Sequence, residues 1–165
     1  MPVTDQGASR QRYTVIPRTS IFVRRDDSYL LLKGAPTKRL FANRYNGLGG
    51  HVERGEDVLA AAQRELREEA GLAADLWLCG TLIVDTGREP GICLYIFTGE
   101  AVAGELRSSP EGLPEWIPFA GLAGLPVMED LPLLLGRIHG MHRGDPPFSG
   151  RSSYDADGKL RLVLS

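Results

Sequence analysis

The segment that most constrains how this chain can fold is a capped helix whose acidic residues share one face. The sequence predicts a helix over residues 58–70, with Asp57 as its N-cap and Gly71 as its C-terminal stop. At about 100° per residue, its apolar positions fall on one side and can pack against a sheet. Three carboxylates fall together on the neighbouring side, those of Glu65, Glu68 and Glu69.

This acidic face is unusual, because like charges three or four residues apart repel, and ordinary surface helices place opposite charges at that spacing. Arg64 and Arg67 are expected to flank the carboxylates rather than lie among them. Clustered oxygen ligands of this kind bind hard divalent cations, Mg²⁺ in particular. The helix therefore predicts a Mg²⁺ or Mn²⁺ site. The alternative is a solvent-exposed helix on which Arg64 pairs with Glu68.

Strand-like segments dominate the rest of the chain. Strands are predicted over residues 19–25, 29–33, 76–85 and 92–98, with short strands near 51–52 and 116–117 and a closing hairpin over 155–158. A second helix is predicted over 129–138, with Pro132 in its first turn. The pattern indicates one α+β domain over residues 13–165, preceded by a loose, flexible N-terminus at 1–12.

Composition argues against several classes of partner. The net charge of the 165 residues is −2, which gives no general attraction to a nucleic-acid polymer or to a membrane. No apolar run approaches the roughly 18 residues of a membrane span. Cys79 and Cys93 lie in separate apolar runs, as buried reduced thiols do, and the N-terminus lacks a signal peptide, so a cytoplasmic location is expected. A phosphate-bearing partner would need a metal ion or a few arginines.

The acidic helix and the loop before it match a spacing found in a known family. The fixed positions are Gly50, Glu56, Arg64, Glu65, Leu66, Glu68, Glu69, Gly71 and Leu72. They resemble the Nudix box, G-x5-E-x7-R-E-U-x-E-E-x-G-U with U a bulky aliphatic residue, at every specified position. Similarity to the Nudix hydrolases implies an α/β/α sandwich with a mixed β-sheet core.

The resemblance also implies a pyrophosphohydrolase that cleaves nucleoside diphosphates linked to another group, with Mg²⁺ or Mn²⁺ as cofactor. Glu68 and Glu69 would be the main metal ligands. Glu65 would bind the metal directly or through water and is the box candidate for general base. Arg64 would orient Glu65 through a charge-assisted hydrogen bond. Glu56 is expected to stabilise the loop.

Groups outside the helix would complete this metal site. The backbone carbonyl of Gly49 or Gly50 is a ligand in such enzymes. Residues 111–116 resemble a downstream E-x4-W element of MutT-like Nudix enzymes, whose glutamate joins the metal site as a fourth, catalytic carboxylate. That glutamate corresponds to Glu111. A loop glutamate in solvent is the alternative for Glu111.

Substrate-binding candidates come from two further resemblances. Residues 45–52, YNGLGGHV, are similar to a segment of 8-oxo-purine nucleoside triphosphatases in which an asparagine contacts the base. Asn46 would take that role, and Tyr45 replaces a tryptophan or is a core aromatic. Glu129 and Asp130 resemble an acidic pair that reaches the oxidised base, and N-capping of the second helix explains them equally well.

The MutT-like resemblance implies hydrolysis of a nucleoside triphosphate to a monophosphate and pyrophosphate, with oxidised purines such as 8-oxo-dGTP as the leading substrates. An ADP-ribose or nucleotide-sugar pyrophosphatase is the second interpretation, although Gly87 and Arg88 stand where ADP-ribose hydrolases carry a proline. A non-catalytic nucleotide sensor is the third, and such domains commonly lose box carboxylates that this chain keeps. A monomer or a homodimer that binds a small nucleotide is expected.

Overall fold

A computed structural model describes residues 6–7 and 12–165, so most of the predicted loose N-terminus lies outside the described residues. The strands are β1 (Val15–Arg25), β2 (Ser28–Gly34), β3 (Tyr45–Asn46), β4 (Leu72–Val84), β5 (Gly91–Gly104), β6 (Gly112–Pro118), β7 (Phe148–Tyr154) and β8 (Leu160–Leu164). The helices are α1 (Val58–Ala70) and α2 (Leu131–His139), with a 3₁₀-helix at Phe119–Gly124. None of these described helices has the length and apolarity to cross a membrane.

The strands form one mixed sheet in the order β3-β2-β1-β5-β4-β7-β8, and β6 pairs with β2. The β1–β5 and β4–β7 pairs are parallel, and the remaining pairs are antiparallel. β1 is therefore hydrogen-bonded on both sides, by β2 and by β5. A central strand of this kind is a rigid support for side chains that face a site.

Alternation along β1 sends side chains into a core on each face of the sheet. Phe22 packs in the core that contains the buried residues of α2, while Ile21 and Val23 pack with Leu66 of α1. The predicted α+β sandwich with a mixed sheet is confirmed. Leu59 of α1 lies outside the buried face of the helix, because 39% of it is exposed.

The caps of α1 lie where the sequence places them. The Asp57 carboxylate accepts hydrogen bonds from the backbone N–H groups of Leu59 and Ala60, each at 2.9 Å. Gly71 adopts the left-handed conformation, with φ of +73°, and its N–H donates to the Arg67 carbonyl. These local contacts fix where the helix begins and ends.

The central strands are longer than predicted. β4 begins at Leu72, directly after α1, and pairs with β5 as far as Gly104. Pairing with a neighbour thus extends both strands into small residues that have little β propensity of their own. The predicted strand near His51 is only an isolated bridge to Arg18, whereas the closing hairpin of β7 and β8 is present.

Candidate active site

The loop before α1 lies close against β1 and α1 because two glycines remove the side chains that would intervene. A Cβ atom on Gly49 would lie 2.3 Å from the Thr19 carbonyl oxygen, and a Cβ atom on Gly50 would lie 2.3 Å from Glu65 Oε1. The Gly50 carbonyl accepts a hydrogen bond from the Thr19 N–H at 2.8 Å. The loop is thereby held within reach of the acidic face of α1.

Arg64 lies among the carboxylates, which corrects the expectation that it would only flank them. Its guanidinium donates to Glu56 at 2.7 and 3.0 Å, to Glu65 at 2.9 Å and to Glu68 at 3.1 Å. It also donates to the His51 carbonyl at 3.0 Å. Hydrogen bonding to Glu56 raises the pKa of Arg64, and the same bond lowers the pKa of Glu56. Arg64 therefore ties the loop to α1 and fixes the position of Glu65.

Glu69 is the buried member of the acidic face, with 5% of its surface exposed. Its Oε2 accepts a hydrogen bond from the Gly49 N–H at 2.7 Å. Burial raises the pKa of Glu69 to about 7, and the Gly49 N–H opposes that rise. A desolvated carboxylate with one amide donor is a strong ligand for a cation that would restore its charge balance.

The carboxylates line one open cavity of about 640 Å³ without converging on a single point. Glu65, Glu68, Glu69 and Glu111 all lie on the cavity wall. Within the described ranges, no three His, Cys, Asp or Glu side chains form a ready metal cluster. Each of the four carboxylates has a partner from the protein instead, in Arg64, Gly49 or Lys38.

The donor set nevertheless fits a hard divalent cation. All the candidate side-chain ligands are carboxylate oxygens, and no cation forms an ion pair with Glu69 among the described residues. Magnesium prefers such oxygen ligands and retains waters and phosphates in its other positions. Of the two candidate carbonyls, Gly50 is already hydrogen-bonded to Thr19, while Gly49 accepts no hydrogen bond within the part of the chain that the structure describes. Gly49 is therefore the freer backbone ligand.

Glu111 lies across this cavity from α1 and forms an ion pair with Lys38. Its side chain is 54% exposed, which agrees with the loop-glutamate alternative, yet it lines the same cavity as the box glutamates. Sequence reasoning did not identify Lys38. The signal that could have found it is its position in a long polar loop with basic and aromatic residues, since such loops are often functional.

A second cavity, of about 240 Å³, adjoins the first. Asn46, Glu129 and Asp130 line it, together with apolar side chains that include Leu94 and Met128. The Asn46 side-chain oxygen accepts a hydrogen bond from the Gly47 N–H at 2.8 Å, which leaves its amide NH₂ group for another partner. The fold thus brings together the three polar residues that were predicted from the sequence to contact the nucleobase.

Asp130 and Tyr45 were both predicted to bind substrate, but only Asp130 lines the second cavity. Asp130 occupies the N-cap position of α2, but its side chain makes no capping hydrogen bond, and burial raises its pKa. Capping therefore does not explain Asp130. Tyr45 does not line the second cavity. It is 5% exposed within a hydrophobic core, and its hydroxyl donates to Glu115 at 2.9 Å, which agrees with the core-aromatic alternative for Tyr45.

Five residues line both cavities, so the two spaces adjoin. They are Arg18, Lys38, Phe41, Gly49 and Glu69. An elongated ligand can therefore place one end beside the carboxylates and the other beside Asn46 and Asp130. Sequence reasoning did not identify Arg18 or Phe41, because only the fold brings β1 and the loop after β2 together here.

Comparison with known proteins agrees with this arrangement of sheet, helix and acidic cavity. Residues 15–133 match the NUDIX domain, and the chain belongs to that family. The chain is 36% identical over 99 residues to the oxidized purine nucleoside triphosphate hydrolase of Mus musculus, covering 56% of this chain and 64% of the mouse protein. The Danio rerio protein of the same name is 35% identical over 97 residues, covering 54% of this chain and 62% of its own.

The chain therefore spans slightly less than two thirds of the length of these curated relatives. Among solved structures, a MutT protein from Bacillus halodurans superimposes with a TM-score of 0.76 at 25% identity. That match covers 92% of this chain and 98% of the Bacillus protein. This likeness extends over more of the chain than the NUDIX match to residues 15–133.

Proposed function

We propose that the chain is a divalent-metal-dependent pyrophosphohydrolase that converts a nucleoside triphosphate to a nucleoside monophosphate and pyrophosphate. The observation that carries the proposal is that the acidic cavity adjoins the cavity lined by Asn46 and Asp130. Oxidised purine nucleotides such as 8-oxo-dGTP are the proposed substrates. The names of the mouse and zebrafish relatives support that choice.

The metal would be held by Glu68 and Glu69, with Glu65, Glu111 and a loop carbonyl as further ligands. When bound, Mg²⁺ or Mn²⁺ would neutralise phosphate oxygens and lower the pKa of an attacking water. Glu69 is suited to this role because it is buried and forms no ion pair among the described residues. Glu68 accepts the hydrogen bond from Arg64 through Oε2, and its Oε1 accepts none within the described part of the chain, so Oε1 is free for the metal.

Glu65 is the proposed general base, and Arg64 positions it. Glu65 Oε1 accepts the hydrogen bond from Arg64, while Oε2 accepts none within the described part of the chain. The side chain is only 14% exposed. A carboxylate held by one oxygen can take a proton from water through the other.

The nucleobase would lie in the second cavity between apolar side chains and two polar groups. The Asn46 amide NH₂ is a donor, and the Asp130 carboxyl group, whose pKa is raised by burial, is an acceptor. Such groups can read the edge of a purine. The proposed partner is thus a small nucleotide, and a cytoplasmic monomer or homodimer remains the expectation.

A nucleotide panel tests the proposal. Purified protein with Mg²⁺ should release pyrophosphate from 8-oxo-dGTP faster than from dGTP, and it should act least on ADP-ribose. Phosphate measured after inorganic pyrophosphatase, beside direct detection of AMP from ADP-ribose, gives the three rates. A preference for ADP-ribose would contradict the triphosphatase proposal, and binding without turnover of any nucleotide would indicate a sensor.

Asn46 is expected to select the base without acting on the phosphates. Asn46→Ala should reduce the preference for 8-oxo-dGTP over dGTP by about ten- to a hundredfold, because a buried polar contact is lost. Catalytic efficiencies for both nucleotides measure the effect. Asn46→Asp is the matched variant, because it keeps an oxygen acceptor for the Gly47 N–H but lacks the NH₂ group. If Asn46→Asp keeps the wild-type preference and activity while Asn46→Ala loses activity equally on all nucleotides, Asn46 serves only the turn.

Metal binding is expected to stabilise the folded chain. Mg²⁺ should raise the melting temperature of the wild type, since it binds the folded arrangement only. Glu68→Gln should remain folded and show a smaller rise, because its side chain is 60% exposed and contributes mainly through the metal. Thermal unfolding with Mg²⁺ and with EDTA makes the comparison. An undiminished rise in the variant would locate the metal elsewhere.

A further inference from the structure

Arg18 lies on β1 at the boundary between the two cavities. Only two of the five residues that line both cavities carry a positive charge, Arg18 and Lys38. Lys38 is already paired with Glu111. Arg18 takes part in no ion pair that the structure describes. The boundary therefore holds one cation that is available to a ligand.

The Arg18 side chain also has an unmet hydrogen-bonding requirement. Its Nε is buried and has no hydrogen-bond partner among the described residues. A buried N–H without an acceptor costs free energy, and the cost is larger for a charged group. The guanidinium N–H groups match phosphate oxygens in geometry and charge. The bound anion would supply the acceptor that the protein does not.

The backbone around Arg18 is fixed on both sides. β1 pairs with β5 through Arg18 and Leu94, and an isolated bridge joins Arg18 to His51 of the box loop. The adjacent Thr19 N–H donates to the Gly50 carbonyl at 2.8 Å. Arg18 is thus held in constant relation to the loop that contributes to the acidic cavity, and little order would be lost when it binds an anion.

We propose that Arg18 binds the phosphate that joins the nucleoside to the rest of the polyphosphate chain. With the base beside Asn46 and the scissile bridge beside the box glutamates, the first phosphate must cross the boundary where Arg18 lies. Arg18 thereby acts on every nucleotide alike, whatever its base. The inference rests on the proposed function, because it assumes that the two cavities hold the two ends of one nucleotide.

Binding of 8-oxo-dGMP and of 8-oxo-deoxyguanosine to the full chain in EDTA tests the inference. These probes differ only in the phosphate, and calorimetry gives both affinities. Arg18→Met should weaken 8-oxo-dGMP binding by about 10- to 100-fold and leave the nucleoside unchanged. Arg18→Lys should retain part of the difference. Arg54→Met is the control, because it removes the same charge from an exposed residue outside both cavities.

Kinetics with Mg²⁺ give a second readout. Arg18→Met should lower kcat/KM for 8-oxo-dGTP and dGTP by the same factor, in contrast to the altered base preference expected for Asn46→Ala. Equal losses for nucleoside and monophosphate, or no loss, would overturn the role of Arg18 while leaving an active wild type and the proposed function intact. A wild type that neither hydrolyses triphosphates nor prefers the monophosphate would overturn both.

Discussion

Glu68→Gln is expected to lower kcat/KM for the preferred triphosphate by about a thousandfold, and excess EDTA to abolish turnover of the wild type. The physical reason is that a divalent ion supplies several kcal/mol of charge stabilisation in reactions of this class, and about 1.4 kcal/mol corresponds to a tenfold change in rate. Glutamine keeps the size of the side chain but removes the ligand charge. Steady-state rates with Mg²⁺ and after chelation provide the measurement.

Glu53→Gln is the matched control, because Glu53 is an exposed glutamate on the wall of the same cavity and is not a box ligand. Its rate should stay within about threefold of the wild type, as expected for a screened surface charge. Equal losses in both variants would mean that the general negative field of the cavity matters and not coordination by Glu68. Full turnover in EDTA would contradict a metal-dependent reaction.

Glu69→Gln is expected to make the metal-free protein more stable than the wild type at pH 8. The pKa of Glu69 is raised from its ordinary value of 4.5 to about 7, so the folded state binds more protons than the unfolded state between these values. The stability of the wild type must then fall as the pH rises through this window, by at most about 3 kcal/mol. Glutamine cannot ionise and escapes this loss.

Urea unfolding in EDTA at pH 5 and pH 8 measures the effect. Glutamine retains a carbonyl oxygen for the Gly49 N–H, so the hydrogen bond that orients the loop is preserved. Glu68→Gln removes the same charge from a largely exposed side chain and should show no comparable gain. Saturating Mg²⁺ should reverse the order of stability, since only the wild type gains the full metal contribution. If the stability of the wild type and of Glu69→Gln depended on pH in the same way, the raised pKa of Glu69 would be contradicted.

Local signals explain why α1 could be predicted from the sequence. Asp57 and Gly71 are within hydrogen-bonding distance of the helix that they terminate, and the spacing of Glu65, Glu68 and Glu69 follows from helix geometry alone. The mixed sheet was implied by the family resemblance and is present. The bounds of this helix and the shared face of its glutamates could be predicted because they depend only on residues that are close in sequence.

Long-range contacts explain why the surroundings of other site residues could not be predicted from the sequence. Tyr45 donates to Glu115, which is 70 positions later in the chain, and this bond accompanies its burial in the core. Arg64 reaches Glu56 and the His51 carbonyl across a loop whose path depends on the close approach of Gly50. The position of Arg18 beside two cavities likewise depends on strand pairing, which cannot be predicted from the neighbouring residues in the sequence.

Anomalous diffraction from crystals equilibrated with MnCl₂ tests the central claim most directly. The expected result is Mn²⁺ coordinated by Glu68 and Glu69 in the acidic cavity, with the hydrogen bond from Arg64 to Glu56 retained. Manganese bound only outside this cavity, or bound equally in crystals of Glu68→Gln and Glu69→Gln, would contradict the account.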